Sequence, residues 1–313
     1  MSPVLTGVPA WTALTTAAAA SLGGRDLIVA VGPDTTAFLQ GQLSQDLTNL
    51  VAGDVCWALH LQPQGKVIAV VRLTRLAGDA VLIDTDLGAG TDVHAALTRF
   101  KIRTKCELTL LESAPSVFVR GPTVPVGERA GEPLATADEV LQGAAVTLPA
   151  PPWAGPGHDV LASTDTGPHP EVDAAAFEAH RVFTGVPLHG HEISGGPIPV
   201  ETGLIAFTVA FGKGCYVGQE LVERLDSRGR QIRRLVALDI DRDPDRDPDT
   251  IASPQEGAVV SDGQGAEVGR VTSAAQIPGT DLSVALAVVR ATVADADLRV
   301  GGASARIRIL GWQ

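Results

Sequence analysis

Residues 213–220, with the sequence Lys-Gly-Cys-Tyr-Val-Gly-Gln-Glu, constrain the fold of this chain more than any other stretch. Gly214 and Gly218 permit backbone conformations that a side chain would forbid, so the segment predicts a tight turn around Cys215. Helical character follows at 219–225, and unpaired N–H groups at a helix start favour a thiolate over a thiol. Lys213 would act in the same direction if its ammonium group lay nearby. The segment fits a reactive cysteine, and it equally fits a plain turn that buries a small apolar residue.

The composition is that of a globular protein with an acidic balance. Of the 313 residues, 45% are hydrophobic and 19% are charged, which is enough apolar material for two or three packed units. The formal net charge is −12, from 36 acidic and 24 basic residues. Because nucleic-acid binding draws its affinity from neutralised phosphates, this balance argues against direct binding to DNA or tRNA.

The cysteines and the N-terminal region predict the compartment. Cys56, Cys106 and Cys215 are odd in number and lie far apart, so neither a disulfide framework nor a structural zinc site is indicated. His189 and His191 share one side of an extended loop but lack further ligands, and we interpret them as exposed histidines rather than a metal site. The chain shows no basic segment of a signal peptide and no long apolar run. We therefore expect a soluble, cytoplasmic protein without a membrane partner.

Apolar periodicity predicts alternating strands and helices in the first two thirds of the chain. Residues 172–184 predict a helix that begins after Asp173 and ends at Gly185. Residues 121–157 are rich in Gly, Pro and Ala, which predicts an irregular surface with one short helix near 136–142. The remaining predicted strands are 27–31, 56–61, 67–73, 81–84 and 106–111, and the remaining helices start near 35 and span 91–100.

A composition change near residue 239 indicates a domain boundary. Aspartates alternate there with Arg and Pro, but the segment lacks the central Gly and terminal Glu of a calcium-binding EF-hand loop. Its prolines favour a solvated linker, so the pattern predicts residues 1–234 as one region and 235–254 as an acidic Asp/Pro linker. Short strand-like runs after it predict a small antiparallel barrel or sandwich over 255–313.

The turn sequence resembles the signature of the YgfZ family, folate-binding relatives of the glycine-cleavage T-protein (aminomethyltransferase). Further segments resemble the family in the family's order, at 38–46, 63–68, 181–187, 199–204 and 268–273. The resemblance implies an α+β fold. A T-protein-like folate-binding body of two interleaved domains would occupy 1–234, with a C-terminal β-barrel domain at 255–313.

The resemblance also implies a site. Cys215, with Lys213, would carry any distinctive chemistry, and tetrahydrofolate or a folate derivative would be the cofactor. The residues implied in binding the folate are Phe177, Asp46, Glu201, Tyr216, Gln219, Glu220 and Arg224. Some have simpler roles open to them: Phe177 as a core aromatic, Asp46 as a turn residue and Glu201 as a structural hydrogen-bonding group.

Arginines form two further candidates. Arg25 stands about where some relatives have a tryptophan, and its guanidinium can lie flat on a π-system. The basic cluster around 224–234 fits a site for carboxylates, such as a folate glutamate tail or an acidic partner. It equally fits a solvated loop whose charges meet the neighbouring aspartates.

Two departures from the T-protein bear on the reaction. Residues 66–72 contain no carboxylate where the T-protein has an Asp, and Phe183 stands where it has a Glu. Aminomethyl transfer is therefore disfavoured. The resemblance implies a folate-binding accessory protein that supports iron–sulfur cluster assembly or repair, including cluster-dependent tRNA-modifying enzymes. Its partners would be folate and iron–sulfur proteins or their assembly machinery. The alternatives are a folate-dependent one-carbon transferase and a non-enzymatic interaction scaffold with vestigial folate binding.

Overall fold

Two β-structures organise the chain, an open seven-stranded sheet and a closed six-stranded barrel. They are seen in a computed structural model that describes residues 4–125, 135–228, 232–241, 254–293 and 297–312. The mixture of helices and antiparallel strands, with a barrel in the C-terminal region, confirms the α+β fold class. The division of the body into two interleaved domains stays a prediction.

The open sheet forms the body, and its strands pair antiparallel in the order β2-β3-β4-β1-β5-β7-β6. Its central strand is longer than the predicted 27–31, because the pairing with β5 continues through two glycines to Ala19. The strands are β1 (Ala19–Val31), β2 (Val55–Leu61), β3 (Val67–Arg75), β4 (Ala80–Asp86), β5 (Glu107–Arg120), β6 (Val146–Pro149) and β7 (Gly157–Leu161). Strand β6 lies within the range 121–157 that was predicted to be irregular, and strand β7 begins at the last residue of that range.

Helices cover the sheet and connect it to the barrel. Helix α5 begins at the predicted cap, where Asp173 accepts a hydrogen bond from Ala176 N at 2.7 Å, and it ends at Gly185 with φ 82°. The helices are α1 (Gly7–Thr16), α2 (Thr35–Gln40), α3 (Gly90–Phe100), α4 (Ala137–Leu141), α5 (Ala174–Thr184), α6 (Ile205–Thr208) and α7 (Gln219–Arg228), with 3₁₀ turns at Pro152–Ala154 and Pro199–Thr202. No helix in the described part of the chain is both long and apolar enough to cross a bilayer.

The largest buried apolar cluster lies between the sheet and helices α2 and α3. It contains Ile28 and Leu73 from the strands together with Leu39, Val93 and Leu97 from the helices. On the opposite face, a second apolar cluster packs Leu27 and Val29 against Val140 of helix α4. The rest of that face forms part of the wall of a cavity.

The barrel closes in the order β10-β11-β8-β13-β12-β9. Its strands are β8 (Arg233–Ile240), β9 (Val259–Ser261), β10 (Glu267–Gln276), β11 (Ser283–Arg290), β12 (Leu298–Val300) and β13 (Ala303–Arg308). Strand β8 corrects the predicted linker at 235–254, because Leu238 pairs with Ala285 on one side and Ile307 on the other. Its apolar side chains bury inside the barrel or against the body, which outweighs the acidic character of the segment. The following aspartates, at 243–249, lie outside the described residues.

A buried polar cluster joins the body to the barrel. Arg181 of helix α5 donates from Nη2 to Ser273 Oγ at 2.6 Å and from Nη1 to Glu192 Oε2 at 3.1 Å. Glu192 Oε1 in turn accepts from Thr272 and Ser273, each at 2.7 Å. These contacts fix the loop that follows α5 against strand β10.

Candidate functional site

A cavity of about 480 Å³ lies in the body. Its wall consists of residues from strands β1 to β5 and β7, from helix α5 and from the loop that follows it. This volume lies within the usual size range of small-molecule sites, which are typically apolar with a few fixed polar groups.

Aromatic side chains line this cavity. The rings of Phe118 and Phe177 stack with centroids 5.9 Å apart and an interplanar angle of 23°. Trp57 meets Trp153 edge-on at 6.0 Å. Four aromatic rings from separate segments therefore present a surface that fits a flat heterocycle.

Arg72 is the centre of a buried ion network beneath the aromatic rings. Its guanidinium donates to Asp84 Oδ2 at 2.8 Å, to Asp159 Oδ2 at 2.8 Å and to Pro149 O at 2.7 Å. The side chain is 1% exposed. Burial acts to lower the pKa of Arg72, but the two aspartates outweigh it and raise that pKa above its ordinary value.

Arg25 and Arg120 extend the network to either side. Arg25 donates to Asp84 Oδ1 from Nη2 at 2.7 Å, and its Nη1 bonds Asp86. Arg120 Nη1 donates to Asp159 Oδ1 at 2.7 Å. Arg25 thus lines the cavity with its guanidinium paired to carboxylates, and flat stacking of this group on a ligand stays a prediction.

The cavity does contain carboxylates, but arginines bind them. Burial acts to raise the pKa of Asp159, yet Arg120, Arg72 and Arg25 outweigh it and lower that pKa below its usual value. A carboxylate that stays ionised and paired is a poor proton acceptor near neutral pH. The missing T-protein Asp at 66–72 is therefore not replaced by a free base from these strands.

The signature turn lies apart from this wall. Cys215 is exposed and lies four residues before helix α7 begins at Gln219. Lys213 Nζ donates to three main-chain oxygens, those of Gln40 (2.8 Å), Leu43 (2.7 Å) and Gln45 (2.6 Å). Burial lowers the pKa of Lys213 to about 8. The lysine therefore fixes the loop after α2, and its effect on the Cys215 thiol stays a prediction.

Gln45 connects this loop to the cavity. Its side-chain amide donates to Trp57 O at 3.3 Å and to Phe207 O at 3.2 Å, while its own main-chain oxygen accepts from Lys213. Trp57 is a wall residue of the cavity. Gln45 thus connects the signature turn to the cavity wall through hydrogen bonds.

The predicted cofactor-binding residues separate into two groups. Phe177 lines the cavity. The other eight predicted site residues, all of them described, are not part of its wall. They lie in the signature turn, in helix α7, in the loop after α2 and in the 3₁₀ turn Pro199–Thr202: Lys213, Cys215, Tyr216, Gln219, Glu220, Arg224, Asp46 and Glu201.

Within the turn, Tyr216 and Gln219 have structural contacts. Tyr216 is buried in an apolar cluster, and burial raises its pKa to about 12. Gln219 accepts from Tyr216 N at 3.3 Å and donates to Glu223 at 3.2 Å, so it closes the start of helix α7. Glu220 and Arg224 are exposed on that helix. Arg224 nevertheless interacts with another group and is not a free cation.

Asp46 and Glu201 make the contacts expected of the simpler roles that the sequence left open, and their part in folate binding stays a prediction. Asp46 Oδ1 accepts from Thr48 N and from Gln40 Nε2, each at 3.0 Å, as a turn residue does. Glu201 is buried and accepts from Arg233 Nε at 2.9 Å and from Ile198 N at 3.2 Å. Glu201 therefore ties a 3₁₀ turn to the first strand of the barrel.

The loop histidines were predicted to be exposed, and this is wrong. His189 and His191 are half-buried and line the cavity. His189 N donates to Asp86 Oδ2 at 2.9 Å, and His191 Nδ1 lies 3.3 Å from Glu256 of the barrel. No cluster of three potential metal ligands occurs among the residues that the structure describes.

Comparison with known proteins agrees with this architecture. A crystal structure of glycine cleavage system aminomethyltransferase T from Bartonella henselae superposes with a TM-score of 0.73, over 98% of this chain and 89% of that chain, at 19% identity. The tRNA-modifying protein YgfZ of Klebsiella pneumoniae is 30% identical over 225 residues, which are 66% of this chain and 67% of that protein. No family model matches the chain.

A third relative is longer. The Neurospora crassa protein named iron-sulfur cluster assembly factor IBA57 homolog, mitochondrial, is 28% identical over 229 residues, 69% of this chain. That alignment covers 52% of the fungal protein, so the chain spans about half the length of this relative.

The fold and the aromatic cavity place the molecule among proteins of T-protein architecture. Its identity to the Klebsiella protein shows that the chain belongs to the YgfZ family, as the signature turn predicted.

Proposed function

We propose that this protein is an accessory factor for iron–sulfur protein assembly or repair that binds a reduced folate in its cavity. Two relatives support the first part by their names, one as an iron–sulfur cluster assembly factor homolog and one as a tRNA-modifying protein. Both names would be explained if the proteins that it assists were tRNA-modifying enzymes that contain an iron–sulfur cluster.

The observation that carries the folate proposal is the stacked pair of Phe118 and Phe177 in the same cavity wall as the buried ion network of Arg72. A pteridine is flat and carries donors and acceptors at its edge, so it needs an aromatic face and fixed polar groups in one cavity. Both are present here in a volume of about 480 Å³.

Aminomethyl transfer is not the activity that we propose. Such a reaction needs a group that positions or deprotonates an amine. Asp86 and Asp159, the aspartates in the cavity wall, are bound by Arg25, Arg72 and Arg120. A one-carbon transferase is therefore the weaker alternative.

Cys215 is the residue that we propose for contact with a client. An iron–sulfur cluster needs about four protein thiolates, and this chain contains three cysteines. Cys106 is buried, and burial raises the pKa of Cys56 to about 12. The protein would therefore act on a partner's cluster. Because the chain carries a net charge of −12, we expect that partner to be a protein rather than tRNA itself.

Calorimetric titration with tetrahydrofolate tests the ligand. We expect saturable binding by the wild type and at least about tenfold weaker binding by Phe177→Ala, because the stacking face is lost. Phe211→Ala removes an exposed phenylalanine outside the cavity and serves as the control. Absence of saturable binding by the wild type would refute the folate proposal.

Cellular cluster enzymes test the role. In a strain that lacks the wild-type gene, Cys215→Ala should reduce the cluster-dependent modification of tRNA, whereas Cys56→Ala should leave it intact. If both variants restore modification fully, the cysteine-centred role is wrong. If Phe177→Ala abolishes folate binding but preserves modification, the protein is an interaction scaffold.

A further inference from the structure

Among the described residues, only one nitrogen of the Arg120 guanidinium finds hydrogen-bond acceptors. Nη1 donates to Asp159 Oδ1 (2.7 Å), Val119 O (2.9 Å) and His158 O (3.2 Å). Nε and Nη2 have no acceptor among the described residues, although the residue is only 7% exposed and lines the cavity. By contrast, all three nitrogens of Arg72 and of Arg25 donate to protein oxygens. Because Arg120 lines the cavity, these two donors are directed to its interior, where water or the acceptors of a ligand can receive them.

The open edge of Arg120 lies beside the stacked phenylalanines. Its Cζ is 6.0 Å from the centroid of Phe118, which stacks on Phe177. A flat ring that packs on these side chains would bring its edge toward Nε and Nη2. The stacking face and the donors thus belong to one subsite.

His180 adds a second unpartnered group to the same cavity. It is 9% exposed, and its ring nitrogens make no hydrogen bond to any described residue. Burial, and then the charge of Arg120, lower its pKa to about 4, so the ring is neutral at physiological pH. A neutral imidazole offers one acceptor and one donor.

The net charge of the ion network determines whether the ligand group beside Arg120 is charged or neutral. The buried ion network contains three positive and three negative side chains, so its charges cancel: Arg25, Arg72 and Arg120 with Asp84, Asp86 and Asp159. A carboxylate beside Arg120 would add an uncompensated buried charge. A neutral carbonyl oxygen accepts from a guanidinium without that cost. Arginine recognises guanine in a comparable way, by donating to the oxo oxygen O6 and to N7.

We propose that Arg120 is a specificity-determining residue, which with His180 selects the oxo-bearing edge of a fused heterocycle stacked on Phe118 and Phe177. The inference rests on the proposed folate function and assigns the pteridine end of the ligand to this subsite. The glutamate tail would lie elsewhere.

Two ligands that differ at one position test the assignment. Tetrahydrofolate has an oxygen at pteridine position 4, and its 4-amino counterpart has a donor there. We expect the wild type to prefer the oxo compound by about 10- to 100-fold, because a hydrogen bond to a charged group is lost with the amine. Arg120→Lys retains a positive charge beside Asp159 but removes the two-donor edge, so it should abolish most of this preference. Arg270→Lys, on the barrel surface, should keep it.

The ratio of the two affinities separates recognition from a structural role. If Arg120→Lys weakens both ligands equally, Arg120 only supports the fold and the inference is wrong. If Arg120→Lys selectively weakens binding of p-aminobenzoylglutamate, the residue binds the tail and the inference is wrong. His180→Phe, which keeps an aromatic ring but removes both ring nitrogens, should also reduce the ratio and provides the test if the arginine variant does not fold.

Different results refute the proposed folate binding and the inference about Arg120. If the wild type binds neither pteridine, both the folate proposal and this inference are overturned. If it binds both with equal affinity, only the inference is overturned.

Discussion

The ammonium nitrogen of Lys213 lies 2.6 Å from the main-chain oxygen of Gln45. Because the side chain of Gln45 bonds Trp57 O, this contact joins the signature turn to the wall of the cavity. Lys213 therefore organises the region between the two candidate sites.

Lys213→Met should destabilise the protein by about 2 kcal/mol, because three main-chain oxygens lose a charged donor. The free energy of unfolding from urea titration measures the loss. Lys66→Met removes an exposed lysine of the neighbouring hairpin and should cost about 0.5 kcal/mol or less. Equal losses in the two variants would contradict the role assigned to Lys213.

Arg72→Met should destabilise the protein by about 3 kcal/mol, because Asp84 and Asp159 each lose a buried partner. Arg25 and Arg120 still neutralise these aspartates in part. Arg270→Met, which breaks an exposed ion pair with Glu267, provides the comparison and should cost about 0 to 1 kcal/mol. A loss at Arg72 no larger than that at Arg270 would show that the network contributes little.

Gly65→Ala should destabilise the protein more than Gly78→Ala does. Both glycines have positive φ, 82° and 69°, so both substitutions strain the backbone by about 1 to 2 kcal/mol. A Cβ at Gly65 would also lie 2.4 Å from Leu221 Cβ of helix α7, whereas one at Gly78 meets open space. Thermal unfolding of the two variants isolates the contact between the hairpin and the signature helix. Equal melting temperatures would exclude that contact.

The stability of the protein should fall as the pH falls from about 6.5 to about 4. Burial lowers the pKa of His60 to about 4, whereas an unfolded histidine has a pKa of 6.5. In this window the unfolded chain binds a proton that the folded chain does not, so acid favours unfolding by up to about 3 kcal/mol. His60→Leu should remove that part of the pH dependence. Unfolding free energies at several pH values measure it, and an unchanged slope in the variant would refute the assignment.

The sequence predicted the family, the fold class and the capped helix α5, because each depends on local residues. Asp173 and Gly185 mark that helix at both ends. The signature turn identified the family through eight consecutive residues. None of these predictions required knowledge of contacts between distant segments.

The cavity was largely missed because its wall combines single residues from many elements. Gly23 illustrates the reason: a Cβ there would lie 2.6 Å from the Phe118 ring, so the glycine is needed within strand β1. The sequence predicted this strand only from residue 27, so Gly23 fell outside it. Arg72 and Asp84, charged residues inside or at the end of apolar strand runs, were the available signal for the buried network.

The order of the barrel strands has a consequence for synthesis. Strand β8 pairs with β11 and β13, which follow it by more than 40 and 60 residues along the chain. On the ribosome, β8 therefore emerges long before either neighbour and exposes both edges while it waits. The barrel can close only after Arg308 has been translated, so slow translation of this region prolongs exposure of an aggregation-prone strand.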